Sequence, residues 1–518
     1  MSRCALLALA VFLASRSASA TPAACVGGLA GSYPCNNVDL LAVVPLSTMG
    51  CASGNDIWGW TDSTTGREYA LMGCDNGIAF VDVSDSANPV YVGKLPTHTV
   101  ASLWRGVKTM RDHALVVSEA AGHGLQVFDL RNLRAFAGTP LTFSETAHYP
   151  GFGDSHNVVA DEITGFGYAV GTDTCAGGLH MVDLRSPASP VFAGCFSADG
   201  YTHDAQCVLY EGPDTRFAGR EVCFASNEDT VTIVDVENKG APALVSRTGY
   251  AGYGYVHQGW LTEDQSYFLV DDELDETQFL HNTRTYVFDV RLLDAPVLVG
   301  YYTGPSPAID HNLFVRGGYA YEANYTSGLR ILDLAGVAAA TLSEVGYFDV
   351  VPENDDRVYS GAWGNYPFFA SGIVLVSGIE QGLFVLKPRL PTPPGASFYS
   401  VTPCRLLDTR APSGIAGGPA LTAGTARLVS VAGRCGIPPG AREAAVNVTI
   451  TGASAPGHLT LTSPESISPR TSTINYRPGE TRANNAIVAL ESGGELRVFC
   501  AQPSGSVQMI LDVSGYFR

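Results

Sequence analysis

The sequence predicts an all-β chain: a seven-bladed β-propeller closed by an N-terminal strand, then a smaller β-sandwich-like domain. Three observations carry this expectation. First, a Gly–apolar–x–apolar–apolar–Asp pattern recurs as GIAFVD (77–82), GLQVFD (124–129), GLHMVD (178–183), TVTIVD (230–235), RTYVFD (284–289), GLRILD (328–333) and GLFVLK (382–387). Second, the steps from Asp82 through Asp129, Asp183, Asp235, Asp289 and Asp333 to Lys387 are 47, 54, 52, 54, 44 and 54 residues. A period near ~50 with four strands per unit marks a propeller, because solenoid repeats are shorter. Third, each repeat divides into four short β-prone runs. Residues 202–250 show this best, with runs parted by Gly212-Pro213, Asn227 and Gly240. A four-stranded meander cannot bury both faces alone, so the blades must pack on one another around an axis.

Taken in order, residues 1–20 carry an early Arg, an apolar run and an Ala18-Ser19-Ala20 cleavage site, the pattern of a secretory signal peptide. No later run is long enough for a membrane span, and the C-terminal DVSGYFR has no sorting tail, so a secreted protein is expected, with cell-surface association as the variant. The propeller occupies 21–388. Its seventh repeat meets Pro388 with no fourth strand, whereas NVDLLAVVPL (37–46) precedes the first full blade and resembles the PVYVGKLP of 89–96. Pairing that N-terminal strand into the last blade would remove two free edges. Residues 389–396 belong to a Pro-rich stretch that reads as a stiff linker. Beyond it, in 397–518, the repeat stops and short alternating strands (EAAVNVTI, GHLTLTS, ELRVFC, VQMILDV) suggest a separate sandwich-like accessory domain.

Without Cys4 of the leader, eleven of the twelve cysteines remain, and in an exported chain they read as disulfides. If His203 faces Asn227 in a hairpin, then Cys207 faces Cys223, because both index sums are 430. Cys25 and Cys35 flank a Gly-rich turn, and Cys51 with Cys74 and Cys175 with Cys195 fall at strand ends on a shared face. Among Cys404, Cys435 and Cys500, one must stay free or pair elsewhere. A net charge of −19 argues against nucleic acid or an anionic membrane as partner.

Candidate chemistry lies at the starts of the first strands, where His156, His203, His257 and His311 recur blade after blade. Trp58, Trp104 and Trp363 hold similar places in other blades. An antiparallel second strand returns to the same end, bringing acids there: Glu119, Asp173, Asp271 and Glu322, with 271–276 (DDELDE) a strongly acidic loop. First strands line a propeller's channel, so imidazoles and carboxylates are expected to converge on one mouth. Two readings compete for this crown. It binds a divalent metal through His156, His203, His257, His311, Glu119, Asp173 and Glu322, or each His braces the neighbouring blade. No nucleophile elbow, H-E-x-x-H, phosphate loop or dinucleotide fingerprint is present.

The run GNDIWGWTDSTTGREYALMGCDNGIAFVDVSDSANPVYVGKLPTHT (54–99), with SEAAGHGLQVFDL, GGLHMVDL and YTHDAQCVLYEGPD, resembles the choice-of-anchor B family of LVIVD-repeat proteins over about residues 25–388. The resemblance implies an exported bacterial propeller and carries over no catalytic residue. The C-terminal domain, with FYSVTPCRLLDTR and LDVSGYF, is similar to modules appended to secreted bacterial proteins. The leading expectation is therefore a monomeric secreted propeller that binds an extracellular protein, glycan or small ligand. The alternatives are a metal-dependent extracellular enzyme working at the crown and a structural cell-surface component.

Overall fold

The computed structural model describes residues 22–390, 398–438, 440–463, 471–490 and 494–517. The expected leader (1–20) and residues 391–396 of the expected linker lie outside them. The chain divides into two compact units, Met1–Leu390 and Pro391–Arg518. No helix among the described residues is long and apolar enough to cross a membrane.

The described part of the first unit forms seven sheets, each built on four antiparallel strands. The meander of residues 202–250 is typical. Asp204–Leu209, Glu221–Ser226, Val231–Asp235 and Ala243–Thr248 pair in sequence order. The two middle strands are buried along their whole length and the outermost is largely exposed. A register shift recurs in the pairing of third and fourth strands, for example between Ile233 and Val234 and between Ile331 and Leu332. Such a bulge strengthens the local twist of the sheet.

The Asp that ends the third strand has one recurring task. Its carboxylate accepts the backbone N–H two residues on, at Asp82, Asp129, Asp183, Asp235, Asp289 and Asp333. That bond closes an Asx turn and launches the loop toward the fourth strand.

Packing follows from the first strands. Gly54–Thr61 lies beside Arg105–Met110, which lies beside Asn157–Asp161. The series continues through Asp204–Leu209, Val256–Leu261 and Asn312–Arg316 to Ala362–Tyr366, which lies beside Gly54–Thr61 in turn. Apolar faces of neighbouring sheets interleave, as where Phe224 meets Phe268 and Phe80 meets Phe128. Polar side chains of the first strands tie each sheet to the next. Gln206 accepts from Leu261 N–H, Gln258 accepts from Leu313 N–H, and Asp56 accepts from Val107 N–H. Innermost strands side by side, with sheets stacked face to face around them, are the architecture of a β-propeller.

The N-terminal segment is shared by two sheets. Val38–Val44 pairs antiparallel with Gly382–Pro388, with Leu40 opposite Leu386. Just before it, Tyr33–Asn36 pairs with Ser343–Phe348 of the preceding sheet and carries Leu29–Ala30 on its outer edge. The sequence did not announce these two outer strands. Nor did it announce Leu141–Thr142, which pairs parallel with Val90–Pro96. Gly93 permits that approach, since a Cβ there would lie 2.1 Å from the Leu141 carbonyl oxygen.

Disulfides join Cys25–Cys35, Cys51–Cys74, Cys175–Cys195, Cys207–Cys223 and Cys404–Cys435. Cys207 lies directly opposite Cys223 in the ladder. Among the described residues, Cys500 is the free thiol, and it is buried.

The described residues of the second unit form two sheets. One contains Phe398–Asp408, Ser506–Phe517, Glu443–Thr451 and Arg482–Ala489, and Leu421–Thr422 also pairs with Ser506–Phe517. The other is ordered Ala426–Ser430, Glu495–Ala501, Gly457–Thr462 and Ile474–Tyr476. Strict alternation along EAAVNVTIT buries Ala444, Val446, Val448 and Ile450. They share one core with Leu459, Leu496, Val498 and Leu511 from the other strands.

Candidate functional site

The four crown histidines lie at or just before the starts of four successive first strands. The structure gathers them into a row. Ring centroids are 4.1 Å apart from His156 to His203, 4.1 Å from His203 to His257 and 4.4 Å from His257 to His311. They line a small cavity together with Asp56, Trp104, Arg105, Asp204 and Trp363. Its volume is about 20 Å³, room for one water or one ion. Trp58 is not in this lining. It packs on Tyr366 and Phe314 and donates to the Thr109 hydroxyl.

Every ring uses Nδ1 in a bond to protein. His203 Nδ1 meets the His257 carbonyl oxygen at 2.9 Å, and His311 Nδ1 meets the Trp363 carbonyl oxygen. A carbonyl can only accept, so Nδ1 carries the proton in both rings and Nε2 keeps its lone pair. His156 Nδ1 bonds Glu119 at 2.6 Å and His257 Nδ1 bonds Asp271 at 2.9 Å. Burial holds His203 and His257 well below the usual imidazole range and lowers His311 to about 3. These three rings are neutral at neutral pH.

One carboxylate reaches the Nε2 side. Glu273 Oε2 is 3.9 Å from His257 Nε2, and Glu273 Oε1 is 3.8 Å from His311 Nε2. The three ligand atoms all lie within 4.8 Å of one another. Tyr325 donates to Glu273 Oε1 at 2.7 Å and holds the carboxylate in place. Burial raises the Glu273 carboxyl to about 7.

The remaining expected ligands are placed differently. Glu119 is in the site, as partner of His156 rather than on the Nε2 side. Asp173 accepts from Gly153 N–H, and Glu322 accepts from Thr285 and Asn324. Both carboxylates thus hydrogen-bond away from the rings. The reason is loop geometry. The second strand of the Val256–Leu261 sheet runs through Asp272, and residues of a strand alternate faces. Asp271 and Glu273 therefore share the side of the histidines, while Asp272 turns to Gly254 N–H and the Tyr250 hydroxyl. The acidic run 271–276 was the signal for Glu273, and the alternation within it would have singled that residue out.

A second polar group adjoins the cavity. Arg105, 1 % exposed, donates from Nη1 to His123 Nε2 at 3.0 Å and from Nε to the Cys74 carbonyl. His123 Nδ1 bonds the Gly124 carbonyl. Burial lowers His123 to about 4. His98 continues this group toward the surface: it is paired with Glu145, stacked 3.7 Å from His148 and edge-on to His123 at 6.3 Å, and His148 Nε2 bonds the His123 carbonyl.

No curated protein matches the chain. Solved structures are similar to the chain, three of them as follows. One is a β-propeller domain from Myceliophteria thermophila, at 13% identity and TM-score 0.40, covering 62% of this chain and 93% of that one. A functionally unknown protein from Desulfotomaculum acetoxidans follows at 10% identity and TM-score 0.40, covering 57% and 90%. A protein from Lactobacillus plantarum has 14% identity and TM-score 0.42, covering 63% and 89%. The LVIVD repeat matches residues 68–97 and 311–348, which contain the second to fourth strands of one sheet and all four meander strands of another. With these repeats set in four-stranded sheets packed along their first strands, the chain is a β-propeller that carries LVIVD repeats.

Proposed function

We propose that this is an exported binding protein, a ring-closed propeller of seven blades whose histidine crown takes a divalent transition-metal ion. The strand Val38–Val44 on the last sheet and the cyclic order of first strands support closure. Five disulfides support an oxidising, extracellular destination. The resemblance to choice-of-anchor B proteins supports export, and the C-terminal unit is read as an accessory module.

The observation that carries the metal is the use of the ring nitrogens. In all four rings Nδ1 is engaged by a carboxylate or a carbonyl, the arrangement that fixes a metal-binding imidazole with Nε2 outward. His257, His311 and Glu273 form the ligand set. Ligand atoms about 2.05 Å from one tetrahedral ion stand about 3.3 Å apart; here one atom from each residue lies within 4.8 Å of the others, and even the shortest approaches, 3.9 Å to one Glu273 oxygen and 3.8 Å to the other, must close by at least roughly half an ångström. Neutral imidazole and carboxylate suit zinc among common ions.

The test is the metal content of untagged protein, beside a His257→Gln, His311→Gln variant. One equivalent of zinc in the parent and no zinc in the variant is expected. Parent protein that holds no metal, and takes up none on addition of zinc, would leave the histidines as braces between blades. A second reading is a metal-dependent enzyme. It is favoured by the ligand set itself, since two histidines and one glutamate leave a coordination position open, as catalytic zinc sites do. Azide changing the spectrum of the Co2+-substituted protein would mark that open position. An unchanged spectrum would leave binding alone.

A further inference from the structure

Behind the crown, on the other side of the 271–276 run, lies a second group that the crown does not use. Asp275 and Glu276 are both 0 % exposed, and Asp310 is 3 % exposed. Asp275 Oδ1, both oxygens of Glu276, Asp310 Oδ1 and His281 Nε2 are buried without a hydrogen-bond partner. Ligand atoms of Asp275, Glu276 and His281 lie within 4.8 Å of one another. A carboxylate buried without a partner is among the most costly arrangements in a protein, and here Asp275 and Glu276 lie against each other with the Asp310 charge nearby.

Among the described residues no Arg or Lys forms an ion pair with these acids. Arg284 is stacked on Tyr301 at 4.2 Å, and Arg357 donates to the His281 carbonyl. His281 Nε2 comes within 3.5 Å of Asp275 Oδ2 without donating to it. Meanwhile the outer atoms are anchored. Tyr286 donates to Asp275 Oδ2 at 2.6 Å, and Asp310 Oδ2 accepts from Asp272 N–H. His281 Nδ1 bonds the Asn282 carbonyl, so its proton is on Nδ1 and the Nε2 lone pair faces the acids. The free atoms are thus four carboxylate oxygens and one imidazole nitrogen, all acceptors.

We propose that Asp275, Glu276 and His281, with Asp310 beside them, form a binding site for a divalent cation. Carboxylate oxygens in the majority select an oxygen-preferring ion, and the single imidazole favours Mn2+ over Ca2+. The site fastens the 271–276 loop, on which Glu273 is carried, to the start of the next first strand at Asp310.

The experiment titrates the EDTA-stripped full chain with Mn2+, following the EPR signal of the free ion, and repeats the titration with a Glu276→Gln, Asp310→Asn variant and with the His257→Gln, His311→Gln variant. One tight equivalent is expected in the parent and in the histidine variant, and none in the acid variant. Mn2+ should also raise the Tm of the parent by several degrees and leave that of the acid variant unchanged. The stripped acid variant should melt above the stripped parent, since it lacks the uncompensated charges. Equal Mn2+ uptake by parent and acid variant would overturn the site. So would a parent that binds no Mn2+, in which case Glu276 holds a proton and donates it to Asp275.

Discussion

Deleting residues 22–44 should leave the propeller unable to melt as one cooperative unit. The strand Val38–Val44 buries Val38, Leu40, Val43 and Val44 at 0, 2, 8 and 5 % exposure. Each large aliphatic side chain contributes about 1.5–3 kcal/mol when fully buried, so the four together contribute roughly 6–12 kcal/mol. A whole domain is stable by only about 5–15 kcal/mol. The deletion also removes the Arg389–Asp39 ion pair and strips the ladder from Gly382–Pro388. Cys25 and Cys35 leave together, so no thiol is orphaned. A graded version is Leu40→Ala, which opens a cavity against Leu386 and Phe384 and should cost about 2–5 kcal/mol. All five tryptophans precede residue 390. Urea unfolding followed by tryptophan fluorescence therefore reports the first unit alone, free of the second unit's transition. A deleted protein with the midpoint and slope of the parent would refute the account of the N-terminal strand.

Other consequences are separable. A chain that has lost its leader should show no thiol to a colorimetric reagent when native and one after denaturation, because Cys500 is buried and burial raises its pKa; additional thiols after denaturation would mean that one of the five disulfides is open. His123, lowered to about 4 from its ordinary 6.5, binds its proton more readily when unfolded. Its contribution is therefore complete above pH 6.5 and lost as pH falls toward 4, up to about 3 kcal/mol. His123→Gln should flatten the midpoint-versus-pH curve over that window, and an identical curve would show that the ring titrates normally. Gly93→Ala should lower stability by about 1–3 kcal/mol, because the new methyl meets Leu141. If the variant melts with the parent, the parallel strand at Leu141–Thr142 is dispensable.

How far the sequence carried depended on the kind of order in question. Third strands were legible because buried alternation, the opening Gly and the turn-closing Asp repeat together at one spacing. The hairpin register was legible because antiparallel pairing conserves an index sum, which holds at 430 from Asp204 opposite Ser226 to Leu209 opposite Glu221. The histidines could be aligned because strand starts inherit that periodicity. Their acids could not. Loop lengths differ from sheet to sheet, so equivalent positions do not aim alike. Glu273 meets the rings, whereas Asp173 closes its own loop on Gly153. Leu29–Ala30, Tyr33–Asn36 and Leu141–Thr142 are two to four residues long, too short for any periodic signal. The cation-binding acids were visible as charge, but that their atoms lack partners is a property of packing alone.

The most direct test of the central claim, that the crown histidines present their Nε2 atoms to a metal, is anomalous diffraction at the zinc edge on crystals of untagged protein grown with zinc. The account predicts one peak about 2.0–2.1 Å from Nε2 of both His257 and His311, with Glu273 as the third ligand and every Nδ1 bond retained. An ordered crown without a peak, its four rings still bonded through Nδ1, would contradict it and leave the histidines as braces between neighbouring sheets.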